Sequence, residues 1–176
     1  MEIGITTENI DVFNLYKTYL TEYFKVNYRE QSDGRKKLSV IVRGKNERIK
    51  ILKEFGFGEN DTVLRINHAN FQNDCCIQAF LRGAFLSCGF ISNPNSSYHL
   101  EFVVPHKKLS NDLISLLENI GLQPKLVVRK GQYVVYFKNS ENIEDLLAFI
   151  GAHNASLYLM NIKIEKDVKN KVNRRI

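Results

Sequence analysis

The residues able to do chemistry are few, and most fall in or beside one stretch, "FLRGAFLSCGFI", residues 80–91. Three cysteines are present, Cys75, Cys76 and Cys88. An odd number does not make a disulfide framework, and the adjacent pair Cys75–Cys76 would be strained as a disulfide. A thiolate metal site needs a second ligand cluster, and the four histidines at 68, 99, 106 and 153 are scattered. The thiols are therefore expected reduced, in or near a core. Asp74 and Glu101 flank the stretch and are the carboxylates that could hold a hard divalent cation. His153 in "GAHNA" has no nucleophile paired with it, and its neighbour Asn154 suits a helix cap. His99, beside Tyr98, is expected as a surface or packing residue of a strand. "GFGEN" at 56–60 lacks the lysine and spacing of a phosphate-binding loop. No metal site and no cofactor are expected.

Charge gives a second lead. The net charge of the 176 residues is +6. Residues 161–176 hold six cations, Lys163, Lys166, Lys169, Lys171, Arg174 and Arg175, against Glu165 and Asp167. A basic end of this kind suits a nucleic-acid partner, although by charge alone a solvated helix face accounts for it better. At 44% hydrophobic and 25% charged the composition is that of a globular domain. No apolar run approaches the roughly 20 residues of a membrane span. The opening "MEIGITTENIDVF" has neither the basic region nor the apolar core of a signal peptide, so no membrane partner and a cytoplasmic location are expected.

The elements that must position these residues come as a repeat. Residues 9–56 and 109–151 each read helix, strand, turn, strand, helix, and each closes on an aromatic-containing pair before glycine, Phe55-Gly56 and Phe149-Ile150-Gly151. In the first copy Ile10, Phe13, Tyr16 or Lys17 and Leu20 mark a helix over 7–23, with Thr6 or Thr7 as N-cap. In the second, Leu109, Leu113, Leu116, Leu117 and Ile120 mark its equivalent, ended by Gly121 and Pro124. Alternation sets Val26 and Tyr28 against Lys25, Asn27 and Arg29, and Leu38, Val40 and Val42 against Lys37, Ser39, Ile41 and Arg43. Tyr133, Val135 and Phe137 should face inward beside Leu126 and Val128. "SDGR" at 32–35 and "RKGQ" at 129–132 supply turns. The closing helices cover 46–55 and 140–150.

The second copy has more in front of it: a helix over 74–88 and a hairpin of 90–92 with 98–104. In the first copy only "MEIGIT" stands there, aligned with "LEFVVP". The full unit is then helix, two strands, helix, two strands, helix, with the first repeat N-terminally incomplete. On the 74–88 helix Ala79, Gly83 and Ser87 are small and four apart, forming an interface stripe. Phe80, Leu81, Ala84, Phe85 and Cys88 cover the neighbouring apolar surface. A mid-helix glycine costs about 0.5–1 kcal/mol relative to alanine, so Gly83 should have a packing reason. With the equivalent helix of the first copy missing, the stripe should be exposed or re-paired and the chain marginal or dimeric.

"LRGAFLSCG", residues 81–89, opening such a duplicated unit, resembles the motif helix of the LAGLIDADG homing endonucleases. That resemblance implies an α+β fold, a LAGLIDADG homing-endonuclease-like duplicated αββαββα. It also implies that the residue before the last glycine should be the acid that binds the catalytic metal. Cys88 stands there, and a lone thiol cannot replace a carboxylate for Mg²⁺. The expectation is no enzyme activity. Over nearly the whole chain, "FLRGAFLSCGFISNPNSSYHLEF", "FIGAHNASLYLMNIKIEKDVKNKVNR" and the preceding "CC" resemble the WhiA family of bacterial sporulation and cell-division transcription regulators. The resemblance implies a degenerate LAGLIDADG-like domain followed by a linker and a C-terminal helix-turn-helix. The implied domain plan is 1–56, an incomplete first repeat; 57–73, a connector; 74–152, the second repeat; and 153–176, a basic exit segment leading to an absent helix-turn-helix.

The function this implies is a non-catalytic DNA-associated domain of a transcription regulator, located at the nucleoid. Double-stranded DNA is the expected partner, bound weakly without the helix-turn-helix. The candidate contacts are the outward strand residues Lys25, Asn27, Arg29, Lys37, Arg43, Lys125, Arg129, Gln132 and Lys138, the cations for phosphate and the amides for base edges. The alternative is a protein-interaction or self-regulatory module, with Phe57, Phe71 and the "NHANFQN" loop as its exposed surface. An active endonuclease using Asp74 and Glu101 is the least favoured reading.

Overall fold

The computed structural model describes residues 2–34, 36–58 and 65–173. Arg35 of the first turn, Glu59 and Asn60 of "GFGEN", connector residues 61–64, and Arg174 and Arg175 lie outside the described residues. The chain divides into two compact units, Met1–Asn70 and Phe71–Ile176.

The first unit carries strand β1 (Ile3–Thr7), helix α1 (Ile10–Thr18) running into a π-helical turn (Tyr19–Tyr23), β2 (Arg29–Ser32), β3 (Leu38–Val42) and α2 (Lys45–Glu54). A single 3₁₀ turn, His68–Asn70, follows. The three strands form an antiparallel sheet in the order β1-β3-β2. Thr6 and Thr7 are not the cap of α1, because both lie in β1, opposite Ser39 and Leu38 of β3. Asn9 caps it instead, its Oδ1 accepting from the N–H groups of Asp11 (2.8 Å) and Val12 (3.1 Å).

The expected strand at 25–29 begins only at Arg29. The helix ends with Phe24 and Val26 N–H groups on the carbonyls of Tyr19 and Leu20, and Lys25 takes a positive φ of 51° to make that exit. Val26 is nonetheless buried and Tyr28 half-buried, with Lys25, Asn27 and Arg29 exposed. Phe13, Leu20, Val26, Val40, Val42 and Ile51 make the core of this unit.

The second unit runs α3 (Asp74–Cys88), β4 (Gly89–Ile91), β5 (Leu100–Val104), α4 (Lys107–Asn119), β6 (Lys125–Arg129), β7 (Gln132–Phe137), α5 (Ser140–Phe149) and α6 (His153–Asn173). Its sheet has the order β4-β5-β7-β6, so its last three strands repeat the order of the first sheet. The hairpin ahead of α4 is shorter than expected, since residues 92 and 98–99 fall outside its strands. Lys130 and Gly131, both with positive φ (50° and 77°), close β6 onto β7 as a two-residue turn of the kind whose twist matches paired strands.

Register assigns the faces of this sheet. Leu100, Phe102, Val104, Tyr133, Val135 and Phe137 share one face, and all but Tyr133 are buried. α4 and α5 pack on β7, and α3 on β5. The amphipathic helices supply Leu113, Leu116, Leu117, Ile143, Leu146 and Leu147 to the core. Leu126 and Val128 turn to the same face by register but stay 39% and 59% exposed, because β6 is the edge strand.

The exit segment is helical throughout its described length, so Asn154 stands inside the first turn of α6 rather than capping it. α6 is tied down by Ser156 Oγ donating to the Glu144 carbonyl (3.0 Å) and by Lys166 Nζ donating to the Pro94 carbonyl (2.7 Å).

Candidate nucleic-acid interface

The motif helix α3 forms because Asn73 caps it and Gly89 ends it. Asn73 Oδ1 accepts from the Cys76 N–H (3.3 Å) and from the thiols of Cys75 (2.8 Å) and Cys76 (3.2 Å). Backbone N–H groups of Gln72 and then Asn73 hold the Cys76 thiol below its ordinary range. At the other end Cys88 donates its thiol to the Ala84 carbonyl (3.2 Å), and burial pushes its pKa up. Cys88 is thus a neutral thiol with its proton already committed. Arg82 reaches across to donate from Nε to the Ile150 carbonyl at 2.7 Å, fixing α3 against the end of α5.

The divalent metal implied by the nuclease resemblance does not fit these residues. A neutral, half-buried thiol is the wrong donor for a hard cation. Asp74 lies fourteen residues up the helix from Cys88, about 21 Å at the helical rise. Glu101 already has one carboxylate oxygen taken by two cationic or imidazole partners, its Oε2 lying 2.7 Å from His99 Nε2 and 3.3 Å from Arg129 Nη2. Among the described residues no group of three or more His, Cys, Asp or Glu is placed to hold a metal ion.

Among the described residues nothing covers the small stripe. Ala79, Gly83 and Ser87 are all exposed, and a Cβ built on Gly83 would meet nothing within 4 Å. The expected packing reason for Gly83 is absent among the described residues.

The nine candidate DNA contacts divide by position. Lys125, Arg129 and Gln132 share the face of the second sheet opposite the core, and Lys138 follows β7 with its Nζ 5.7 Å from the centre of the Tyr136 ring on that face. Arg29 lies on the corresponding face of the first sheet, opposite Ile41, and Lys37 stands just before β3 at its edge. Lys37 helps to line an open hollow of about 490 Å³ with Thr6, Gln31, Ser32, Asp33 and Ser39. Arg43 follows β3 and pairs with Glu2 at 2.8 Å. Lys25 and Asn27 lie off the strands, in the turn after α1.

Sequence reading missed the row Thr6–Ser39–Gln31, whose hydroxyls and amide cross the first sheet, with Thr6 Oγ1 and Ser39 Oγ 2.9 Å apart. It also missed the coupling of His99 to Glu101. The first follows from strand register, which alternation within one strand does not supply; the second is a pair two residues apart, which alternation places on one face. Phe57 and Phe71 are half-buried, not an exposed patch, and Phe71 packs edge-on against Phe80 at 5.3 Å.

Two antiparallel sheets of matching strand order, backed by helices and joined to a motif helix ending in Cys88-Gly89, define a LAGLIDADG-type scaffold. Residues 77–169 match the family model described as the WhiA LAGLIDADG-like domain, and the chain belongs to the WhiA family. It is 39% identical over 99% of its length to the probable cell division protein WhiA of Alkaliphilus metalliredigens. It is 36% identical over 98% to that of Clostridium botulinum strain Hall, and it spans 58% of each of these relatives. Among solved structures it resembles full-length WhiA from Thermotoga maritima, with a TM-score of 0.68 and 18% identity over 98% of this chain and 57% of that one. It also resembles the homing endonuclease I-DmoI in complex with DNA and Mn, with a TM-score of 0.56 and 15% identity over 85% and 81% of the two chains. At such identities the likeness is one of fold. No described helix is long and apolar enough to cross a membrane.

Proposed function

We propose that this chain is a non-catalytic, duplex-DNA-associated domain of a WhiA-type transcription regulator, acting at the nucleoid in cell division and sporulation. The observation that carries the reading is the shared face of Lys125, Arg129 and Gln132 on a sheet whose opposite side is core, with Lys138 just past β7 beside Tyr136 of that face. Lysines there neutralise phosphates, and Gln132 presents both a donor and an acceptor to a base edge. The fold neighbour I-DmoI is described in complex with DNA, which supports the same use of the scaffold. Cys88, in place of an acid, argues against cleavage.

Duplex binding across a salt series tests this. Log affinity should fall linearly with log salt, and Lys125→Ala and Lys138→Ala should each lower the slope by about 1. Absence of binding, or affinity indifferent to salt, defeats the reading. Plasmid cleavage with Mg²⁺ or Mn²⁺ that is lost in Asp74→Ala or Glu101→Ala would overturn the non-catalytic part.

One observation favours a protein-interaction role in addition. α6 exposes Leu157, Met160, Ile164, Val168 and Val172 along its length. Under that reading Ile164→Glu abolishes partner capture in a pull-down and leaves duplex affinity unchanged.

A further inference from the structure

Across the solvent face of the second sheet, register lines up Phe90 on β4, Glu101 on β5, Tyr136 on β7 and Lys125 on β6 as one cross-strand row. The next row along is Val103–Val134–Val127. This face is not uniformly polar. Phe90 is 56% exposed, and in the next row Val103 and Val127 are exposed on either side of the buried Val134. A duplex keeps its base faces stacked and offers a phenyl ring only polar groove edges and sugar–phosphate. An unpaired base offers a flat apolar face that an exposed ring can stack on.

The charged groups fit the same ligand. Glu101 lies between the two rings of the row, its side chain 12% exposed. Its bonds to His99 (2.7 Å) and Arg129 (3.3 Å) both fall on Oε2, which fixes the carboxylate and leaves Oε1 for an incoming donor. A carboxylate repels phosphate but accepts the amino hydrogens of adenine, cytosine or guanine. The cations lie around it: Lys125 closes the row, and Lys138 Nζ stands 5.7 Å from the centre of the Tyr136 ring. They would hold the backbone on either side of a stacked base.

We infer that the Phe90–Glu101–Tyr136 row is a nucleobase subsite that takes an unpaired base of single-stranded DNA, stacked on Phe90 and hydrogen-bonded to Glu101. In naming DNA the inference rests on the function proposed above, but it assigns this face to a strand with its bases exposed.

The test is fluorescence anisotropy of the whole chain with three labelled probes of one mixed sequence: a 12-nucleotide DNA strand, its duplex and the RNA strand. Phe90→Ala should weaken the DNA strand at least about fivefold, the lower end of what one stacked base contributes, and leave the duplex unchanged. Glu101→Gln should narrow the preference for oligo(dC) over oligo(dT). Ile10→Ala, an exposed apolar truncation on α1, should change neither. Because Phe90 is a solvent-facing residue of an edge strand, the variant should keep the wild-type melting curve; amide shifts confined to β4, β5, β6 and β7 on titration give a second readout that needs no variant. No binding of the DNA strand, binding indifferent to Phe90→Ala, amide shifts elsewhere, or tighter binding of the RNA each overturns the inference. Loss of duplex binding alone defeats the duplex reading and leaves the subsite standing.

Discussion

Cys76 and Cys88 are the same side chain in opposite circumstances. Cys76 sits in the first turn of α3, where N–H groups of Gln72 and Asn73 favour the thiolate. Cys88, fourteen residues along from Asp74 at the far end, is held neutral by burial and bonded to the Ala84 carbonyl. Reactivity follows the thiolate and its access. Iodoacetamide at neutral pH should therefore modify the peptide carrying Cys75 and Cys76 first and Cys88 last, as read by mass spectrometry. Equal rates would mean that α3 frays at its C-terminal end. The departure of Cys88 from an acid was legible from sequence, since it needs only the letter and the spacing to Gly89. The Cys76 environment was not, because it depends on how residues 72–73 fold back on the cap.

At the level of elements, α3 was legible to the residue, since Asn73 and Gly89 bracket an unbroken helical pattern. The strand at 25–29 was misplaced because alternation of Val26 and Tyr28 survives in an irregular exit that Lys25 creates with a positive φ. The expected packing reason for Gly83 was an inference from cost, and the structure leaves that position open. It follows that Gly83→Ala should stabilise the chain by about 0.5–1 kcal/mol, read as a higher denaturant midpoint. A lower midpoint, with a shift to monomer in sedimentation, would mean that a second copy covers the stripe.

α6 supplies a further element-scale test. Burial alone would push Lys163 down, but Glu144 and then Glu141 outweigh it and raise its pKa above the usual 10.5. A raised lysine contributes stability that is whole below 10.5 and lost as pH rises through the folded value. Wild type should lose more melting temperature between pH 9 and 11 than Lys163→Met, whose side chain does not titrate. Parallel curves would show that the contacts of Lys163 with Glu141 (3.5 Å) and Glu144 (3.6 Å) do not hold α6 to α5.

For the whole molecule the repeat was the most legible feature, because β1-β3-β2 and β5-β7-β6 come from the same order of helix, turn and strand. What the repeat hides is how unequal the two units are. Of the buried hydrophobic residues described, seven fall in the first unit and seventeen in the second. Small units bury a smaller fraction of their surface and are correspondingly marginal. The first sheet also has two edge strands around a single interior one, and all of β2 is exposed. The second unit encloses Phe102, Val135, Phe137 and Ile143 at 1% exposure or less. Local stability follows such burial, so hydrogen exchange should separate the two. Amides of β1–β3 should exchange at least tenfold faster than those of β5–β7, and urea should unfold the chain in two steps, with the first-unit signals lost first. A single transition with equal protection would mean that the two units fold as one, and the larger core would then have to support the smaller.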